Sequence, residues 1–499
     1  MAKRRKSAPA TTPSPPPPAP PPAGGRWADL FAIDARSLGA FRIGLGLWLL
    51  IDLVWRSYDL TAHYTDAGTL PRIPRIGLYD LPPGSDRKYL LSLLLVVGDP
   101  GLVRAFFALG AVAYACLLVG YRTRLAAVAA FVVQCSLHSR NPIICDGGDD
   151  LTRCLLFWGL FLPLGGRFSL DVWLGRSPPV PDRVCTVATF ALLFQVASVY
   201  VFTAAAKSHP VWHTDGTALY YALSLDAFAT PLGRWLAGRH ALTRLMTFGT
   251  YWLEWLGPLL VLAPLRAPRL RLAVVLLFWG FHLGSGLGMN LGLFPLAGCL
   301  AWVPFLPGRV WGWFKWATPG PVRGTPRLGW PATAFILAVW GYVLLWNLRE
   351  VNPWWQRVFP TDVNWVGRLL HVDQDWKLFA PRPPEEDGWY VMEGTLGDGR
   401  VVNLWDDGPL PYDKPADVAA TYVNTRWRKQ LLNMWAKDFE GHRRPFALWV
   451  SRRWEAEHPN EPPVSKCELV FMREVTPPPG EPVPAAERCV IFSSERREG

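Results

Sequence analysis

Charge is what this chain has least of. Only 18% of its 499 residues are Asp, Glu, Lys or Arg, whereas soluble proteins run near about 25%. What charge there is lies towards the two ends, and the middle is nearly bare. That pattern excludes a disordered chain, a coiled coil and an ordinary soluble enzyme. Lysine is scarcer still: Lys207 is the only one between Lys88 and Lys315. Cysteine is sparse at eight, with no CxxC and no Cys/His spacing of a zinc site, so no metal is expected. The start of the chain is not expected to be a removable signal peptide. The first long apolar run begins only near Leu38, carries Arg42 and Asp52, and is not followed promptly by a small-residue cleavage site. No convincing internal repeat occurs, which argues against transporters built from repeated halves.

What is present is apolar surface. Half the residues are hydrophobic and 27 are Trp. Residues 1–34 read as a disordered cytoplasmic tail, basic at Lys3 to Lys6 and then rich in Pro and Ala. Residues 35–349 read as an all-α polytopic membrane bundle of about nine spans, each span needing about 20 largely apolar residues. The candidates are Ser37–Trp55, Val103–Gly120, Leu125–His138, Leu151–Pro163, Val184–Ala206, Leu245–Ala263, two short helices in Leu272–Pro307 broken near Gly288-Met289-Asn290, and Gly329–Asn347. Leu90–Val97 and Ala218–Leu236 read as interfacial or re-entrant pieces. With the N-terminus inside, every inner loop is basic: Arg122 and Arg124; Arg167, Arg176 and Arg183; Arg266, Arg269 and Arg271; Arg309, Lys315, Arg323 and Arg327. The net charge of +11 is thus explained by a lipid bilayer rather than by nucleic acid. The expected address is the cell membrane, multi-pass, with the C-terminal part extracytoplasmic.

Residues 350–499 turn polar and read as a small extracytoplasmic α+β domain. Trp389–Leu396 and Arg400–Trp405 alternate around Gly397-Asp398-Gly399, a hairpin signal. Thr421–Lys437 and Pro445–Glu457 read as helices, Val464–Val475 and Glu487–Ser493 as strands. Cys467 and Cys489 stand about equally far from the middle of the last connection, and a disulfide between them is expected in an oxidising compartment.

Four polar groups stand out. Asp146, Asp149 and Asp150 follow Arg140-Asn141 at the start of a span. They read either as a cation- or substrate-orienting group or as a helix N-cap. Lys207 ends the clearest span, ahead of His209, Trp212 and His213. It reads as a desolvated base or as an interfacial cation reaching for headgroups. Glu254 and His282 lie within spans, where ionisable groups face a bundle interior or a cavity. Their structural alternative is mutual pairing, Glu254 with Arg42 or with His282. Arg42 and Asp52 carry the same ambiguity.

Taken in order, these residues resemble the HTTM (horizontally transferred transmembrane) family, which includes vitamin K-dependent gamma-carboxylase. The likeness rests on Arg140-Asn141 with Gly147-Gly148-Asp149, Phe161-Leu162-Pro163-Leu164-Gly165 and Ser169-Leu170-Asp171. It continues through Tyr200–Lys207 with Trp212 and Gly216-Thr217-Ala218-Leu219, then Phe281-His282 with Gly292-Leu293-Phe294-Pro295. Asp375-Trp376-Lys377-Leu378-Phe379-Ala380-Pro381 closes it, for a coverage of about residues 35–410. The resemblance implies a carboxylase-like lyase in which Lys207 is the base towards a reduced quinone such as vitamin K hydroquinone. It implies a site containing Lys207, His282 and Asn141, with Asp149, Trp212 and Glu254 on the substrate. One departure matters: where the carboxylase has a histidine just after the asparagine, this chain has Pro142 and Ile143. Two readings from different classes follow. One is a membrane enzyme acting on a quinone-like or lipid substrate at the outer face. The other is a non-catalytic transporter or scaffold for the C-terminal domain.

Overall fold

The structure is a computed structural model and describes residues 30–72, 92–177, 180–262, 268–314 and 328–495. The basic Pro-rich run, Leu90, Arg266, Lys315, Arg323 and Arg327 lie outside these residues. Of the expected tail, Ile33 and Asp34 form a two-residue bridge with Arg183 and Val184.

Each of the nine expected spans contains a helix: α1 (Ala35–Tyr58), α2 (Pro100–Val119), α3 (Thr123–Arg140), α4 (Gly147–Gly159), α5 (Val187–Ala206), α6 (His240–Leu262), α7 (Pro268–Gly288), α8 (Phe294–Ala301) and α9 (Trp330–Val351). Local chemistry sets their ends. Asp99 caps α2 through Gly101 N and Leu102 N, with Pro100 in the first turn where no partner for its nitrogen is needed. Thr186 and Thr189 exchange side-chain-to-backbone bonds at the start of α5. Five of the nine, α1, α2, α5, α7 and α9, are long and apolar enough to cross a membrane. The others fall short in distinct ways. α4 and α8 are short, α3 is polar in its last two turns, and α6 carries Arg244 and Glu254.

The five divide by burial. α1 and α5 are mostly buried and form the centre, whereas α2, α7 and α9 leave most of their apolar side chains outward. These outward apolar helices are compatible with a membrane protein. The chain breaks at Gly288–Asn290 as expected, where Asn290 N bonds Phe228 O across to the short helices Ala218–Ser224 and Pro231–Ala237.

Contacts sort the loops to two ends of α1. Near its start, Ala35 N meets Asp182 O, Ser37 Oγ meets Leu306 O, Arg42 donates to Leu164, Arg167 and Phe168 carbonyls, and Arg271 reaches Leu30 O. These are the basic loops. Near its other end the C-terminal domain docks: Asn433 donates to Ile143 O, Arg428 to Ala227 O and Asn290 O, and Asn424 to Asp59.

That domain is a four-stranded antiparallel sheet of β1 (Glu386–Leu396), β2 (Val401–Asn403), β3 (Val464–Val475) and β4 (Glu487–Glu495), ordered β2-β1-β3-β4. The Gly397-Asp398-Gly399 hairpin is there, with Gly399 at φ +88, a conformation other residues rarely adopt. Helix α10 (Thr425–Trp435) covers the sheet through Trp435 on Phe471 and Tyr390 OH on Leu431 O, and α11 (Arg443–Glu457) packs against β3 and β4. The expected disulfide does not form: Cys467 and Cys489 are free thiols. Register is the reason. Cys467 pairs with Ser494 and Cys489 with Phe471, so the two cysteines lie about 13 Å apart along the strand direction, beyond a disulfide's reach.

The segment between bundle and sheet is part of the bundle. Gln374 Oε1 accepts from Gln195 and Trp376, Trp346 donates to Gln374 O, and Thr203 donates to Trp376 O. Arg153 holds Asp373 at 3.1 Å. The Asp375–Pro381 motif is thereby threaded beside the C-terminal end of α5, where Lys207 stands.

Candidate functional site

Helix α5 ends at Ala206: Lys207 leaves helical geometry at ψ 60, and Pro210 cannot donate into a continued helix. The short turn Pro210–His213 then folds Trp212 back over the lysine. The Lys207 amine lies 4.1 Å from the centre of the Trp212 ring. Its Nζ is 2.5 Å from Glu254 Oε2 on the neighbouring α6. Trp212 Nε1 donates to Phe379 O at 3.1 Å, which ties the cover to the threaded motif. Lys207 is only 3% exposed and Glu254 4%. The reading of Lys207 as a cation reaching for headgroups is thereby corrected, as is the pairing of Glu254 with Arg42 or His282. The lysine is enclosed, with one carboxylate and one aromatic face. A desolvated cation over an indole gains about 2 kcal/mol, which adds to the ion pair.

His282 belongs to a neighbouring cluster. The Tyr200 hydroxyl is 2.7 Å from His282 Nε2 and accepts from Trp302 Nε1 at 2.9 Å. The other ring nitrogen, Nδ1, is buried and has no hydrogen-bond partner among the described residues. Gly298 is required beside it, since a Cβ there would come within 2.3 Å of the imidazole. Tyr200 and Lys207 are seven residues apart and share a face of α5, about 10 Å apart along the axis.

Asn141 and Asp149 belong to a third cluster. Asn141 donates to His63 O at 3.1 Å, and its own carbonyl oxygen is buried without a partner. Asp146, not Asp149 or Asp150, caps α4, and Asp149 completes the capping box. Asp149 also accepts from Arg56 and Arg426, each at 2.5 Å. Asp52 accepts from the same two arginines, at 2.7 and 2.6 Å. The result is a closed ring of two carboxylates and two guanidiniums, with Tyr64 on Arg56 at 2.6 Å. Burial and Arg56 pull the Arg426 pKa down, and Asp149, Asp52 and Asp146 more than offset them, leaving it above its ordinary value.

No protein-family model, curated protein or solved structure matches the chain. Lys207, Glu254 and Trp212 come together. His282 stands two turns away, and Asn141 and Asp149 stand apart behind Phe294, whose ring lies 5.7 Å from the His282 ring and whose backbone presses on Gly148. His138, Cys145 and Asp149 offer donor atoms within 4.8 Å of one another. Two guanidiniums already hold that carboxylate, and their charge opposes a cation there.

Sequence reasoning missed Tyr200, Arg56 and Arg426. Tyr200 had a signal, its heptad spacing to Lys207, and Arg56 had its i,i+4 spacing to Asp52. Arg426 had none, because it sits on a polar helix remote in sequence.

Proposed function

We propose that this chain is a nine-span membrane enzyme of the HTTM type, its N-terminus cytoplasmic and its sheet domain outside. In this reading Lys207 and Glu254 form the base of a site for a reduced quinone or a similar apolar hydroxyl compound. The observation that carries it is the enclosed 2.5 Å contact between the amine and Glu254 beneath Trp212. A neutral amine accepts a proton from an acidic O–H; burial favours that neutral form, and Glu254 beside it favours the ammonium produced once the proton is taken up. Trp212, Tyr251 and Phe379 lie together in one cluster beside it, and flat apolar walls suit an aromatic substrate ring. Trp212 is the group that such a ring must stack on or displace.

Glutamate carboxylation is left out of the proposal. The histidine expected of a carboxylase is replaced by Pro142 and Ile143, and Asn141 faces His63 rather than the lysine. The proposed step is proton abstraction at the lysine. A second reading, a membrane scaffold for the sheet domain, draws on the Arg426 ring that fastens that domain to the bundle.

Purification with native lipids, followed by mass spectrometry of retained quinones, tests the first reading. The expected result is a stoichiometric quinone in wild type that is lost in Trp212→Ala. Retained phospholipid without any quinone would favour the scaffold.

A further inference from the structure

The basic end of the bundle holds a feature that the proposed reaction does not use. The turn Val119–Arg122 meets the segment Phe168–Val172, because Asp171 N bonds Gly120 O. The Asp171 carboxylate accepts from Arg122 N, Thr123 N and Thr123 Oγ1, each within 2.8 Å. Beside this junction lies an open depression of about 440 Å³, lined by Val119, Phe168, Ser169, Leu170, Val172 and Trp173. Its lining is apolar apart from Ser169, whose hydroxyl is turned to Gly165 O. Trp173 is 79% exposed at its edge.

Two cations stand on the rim. The Arg176 guanidinium lies 4.8 Å from the centre of the Tyr121 ring, and Arg122 follows Tyr121 directly in the turn. Both arginines are exposed. The oxygens of the neighbouring Asp171 are spent on backbone and Thr123 donors. Arg42, fully buried behind this lining, donates to Phe168 O at 2.5 Å. An apolar trough, an interfacial indole and paired guanidiniums therefore adjoin, the complement of a ligand with a hydrocarbon tail and an anionic head.

We propose that this depression holds an anionic phospholipid of the inner leaflet, one acyl chain against Leu170, Val172 and Trp173 and its phosphate between Arg122 and Arg176. The assignment rests on the membrane topology proposed above. A bare phosphate would leave the trough empty, and a zwitterionic lipid would bring a compensating cation to the rim.

Native mass spectrometry of the full chain from micelles containing equal phosphatidylglycerol and phosphatidylcholine tests it. Wild type should retain phosphatidylglycerol by about tenfold over phosphatidylcholine, in line with the attraction of anionic lipid to paired basic residues. Arg122→Gln with Arg176→Gln should abolish that preference, and Trp173→Ala should lower retention of both lipids. Millimolar inorganic phosphate should not displace the lipid. Equal retention in wild type, a preference surviving in the double variant, or displacement by phosphate each overturns the proposal. Because the wild-type preference is read by itself, a variant that fails to fold does not protect the idea. A chain that stays monodisperse without detergent and retains neither lipid overturns the membrane reading and this site together. A chain that needs detergent but shows no preference overturns only the site.

Discussion

Lys207 meets one carboxylate and one indole face, whereas Arg426 meets two carboxylates and the Ile144 carbonyl, with a second arginine completing the ring. Both charges sit near the same end of the bundle and both are largely out of water. The ring around Arg426 has its donors and acceptors matched, so each guanidinium is fixed by planar bonds to two partners. Among the described residues the lysine is matched by one strong acceptor, Glu254, and an ammonium has three donors. A saturated cluster fastens two parts of a molecule. A sparsely satisfied one has capacity left for a ligand, which is why the chemistry is placed at Lys207 and the docking at Arg426.

The sharpest break in that comparison comes from Arg426→Met. Removing it leaves Asp52 and Asp149 sharing Arg56 alone, and uncompensated buried charge costs about 3–5 kcal/mol. Thermal unfolding in detergent should show that loss, with protease sensitivity appearing near 382–385 as the sheet domain loosens. A loss below about 1 kcal/mol would mean that the ring does not fasten the domain.

At the lysine the expected cost is smaller and reversible. Lys207→Met strands one carboxylate, for about 3 kcal/mol. Adding Glu254→Gln should recover most of it, to within about 1 kcal/mol of wild type, because a neutral pair needs no counter-charge. At Arg426 the matching change, Asp52→Asn, would leave Arg56 and Asp149 as one balanced pair, but it would not restore the bonds by which Arg426 ties the sheet domain to the bundle. Additive losses at Lys207 and Glu254 would show that the two side chains do not act as a pair.

A third buried charge, in the sheet domain, extends the comparison to pH. Asp387 is 6% exposed, and its pKa is pushed up to about 7 by burial first and then by Asp226 and Glu474. Lys414 bridges those two acids at 2.6 and 2.5 Å, leaving Asp387 with backbone donors. The unfolded acid titrates near about 4, so the folded state holds the extra proton between about pH 4 and about pH 7. Stability from this group is thus full below that window and lost as pH rises through it. Asp387→Asn should raise stability by about 1–2 kcal/mol at pH 8 and change little at pH 4. Equal effects at both pH values would mean that Asp387 does not carry the dependence.

How much of this was legible follows from range. The nine helices, the break at Gly288–Asn290 and the sheet hairpin each follow from local periodicity and turn residues. Glu254 and Lys207 were visible singly as charges in apolar surroundings, but their pairing depends on how α5 packs against α6. Asp149 was legible as a capping residue within a few positions. Its bond to Arg426 spans 277 residues, and nothing local marks it. The mistaken disulfide has the same origin. Symmetry about a loop suggested a register, while the bulge between Leu469 and Val470 and the cross-strand packing set another.

The smallest change in stability should come from Lys207→Arg, and it separates function from fold most cleanly. Arginine keeps the positive charge, can bond Glu254 through two nitrogens, and stacks on Trp212 as a lysine does. The fold should therefore shift by less than about 1 kcal/mol, and any quinone that co-purifies should still be retained. What arginine does not do is release its proton at ordinary pH. If Lys207 is a base, oxidation of added vitamin K hydroquinone by oxygen, followed as loss of the quinol by mass spectrometry, should fall to the level of protein-free micelles. If the pair only braces α5 against α6, the variant and wild type should match in that assay as closely as they match in melting.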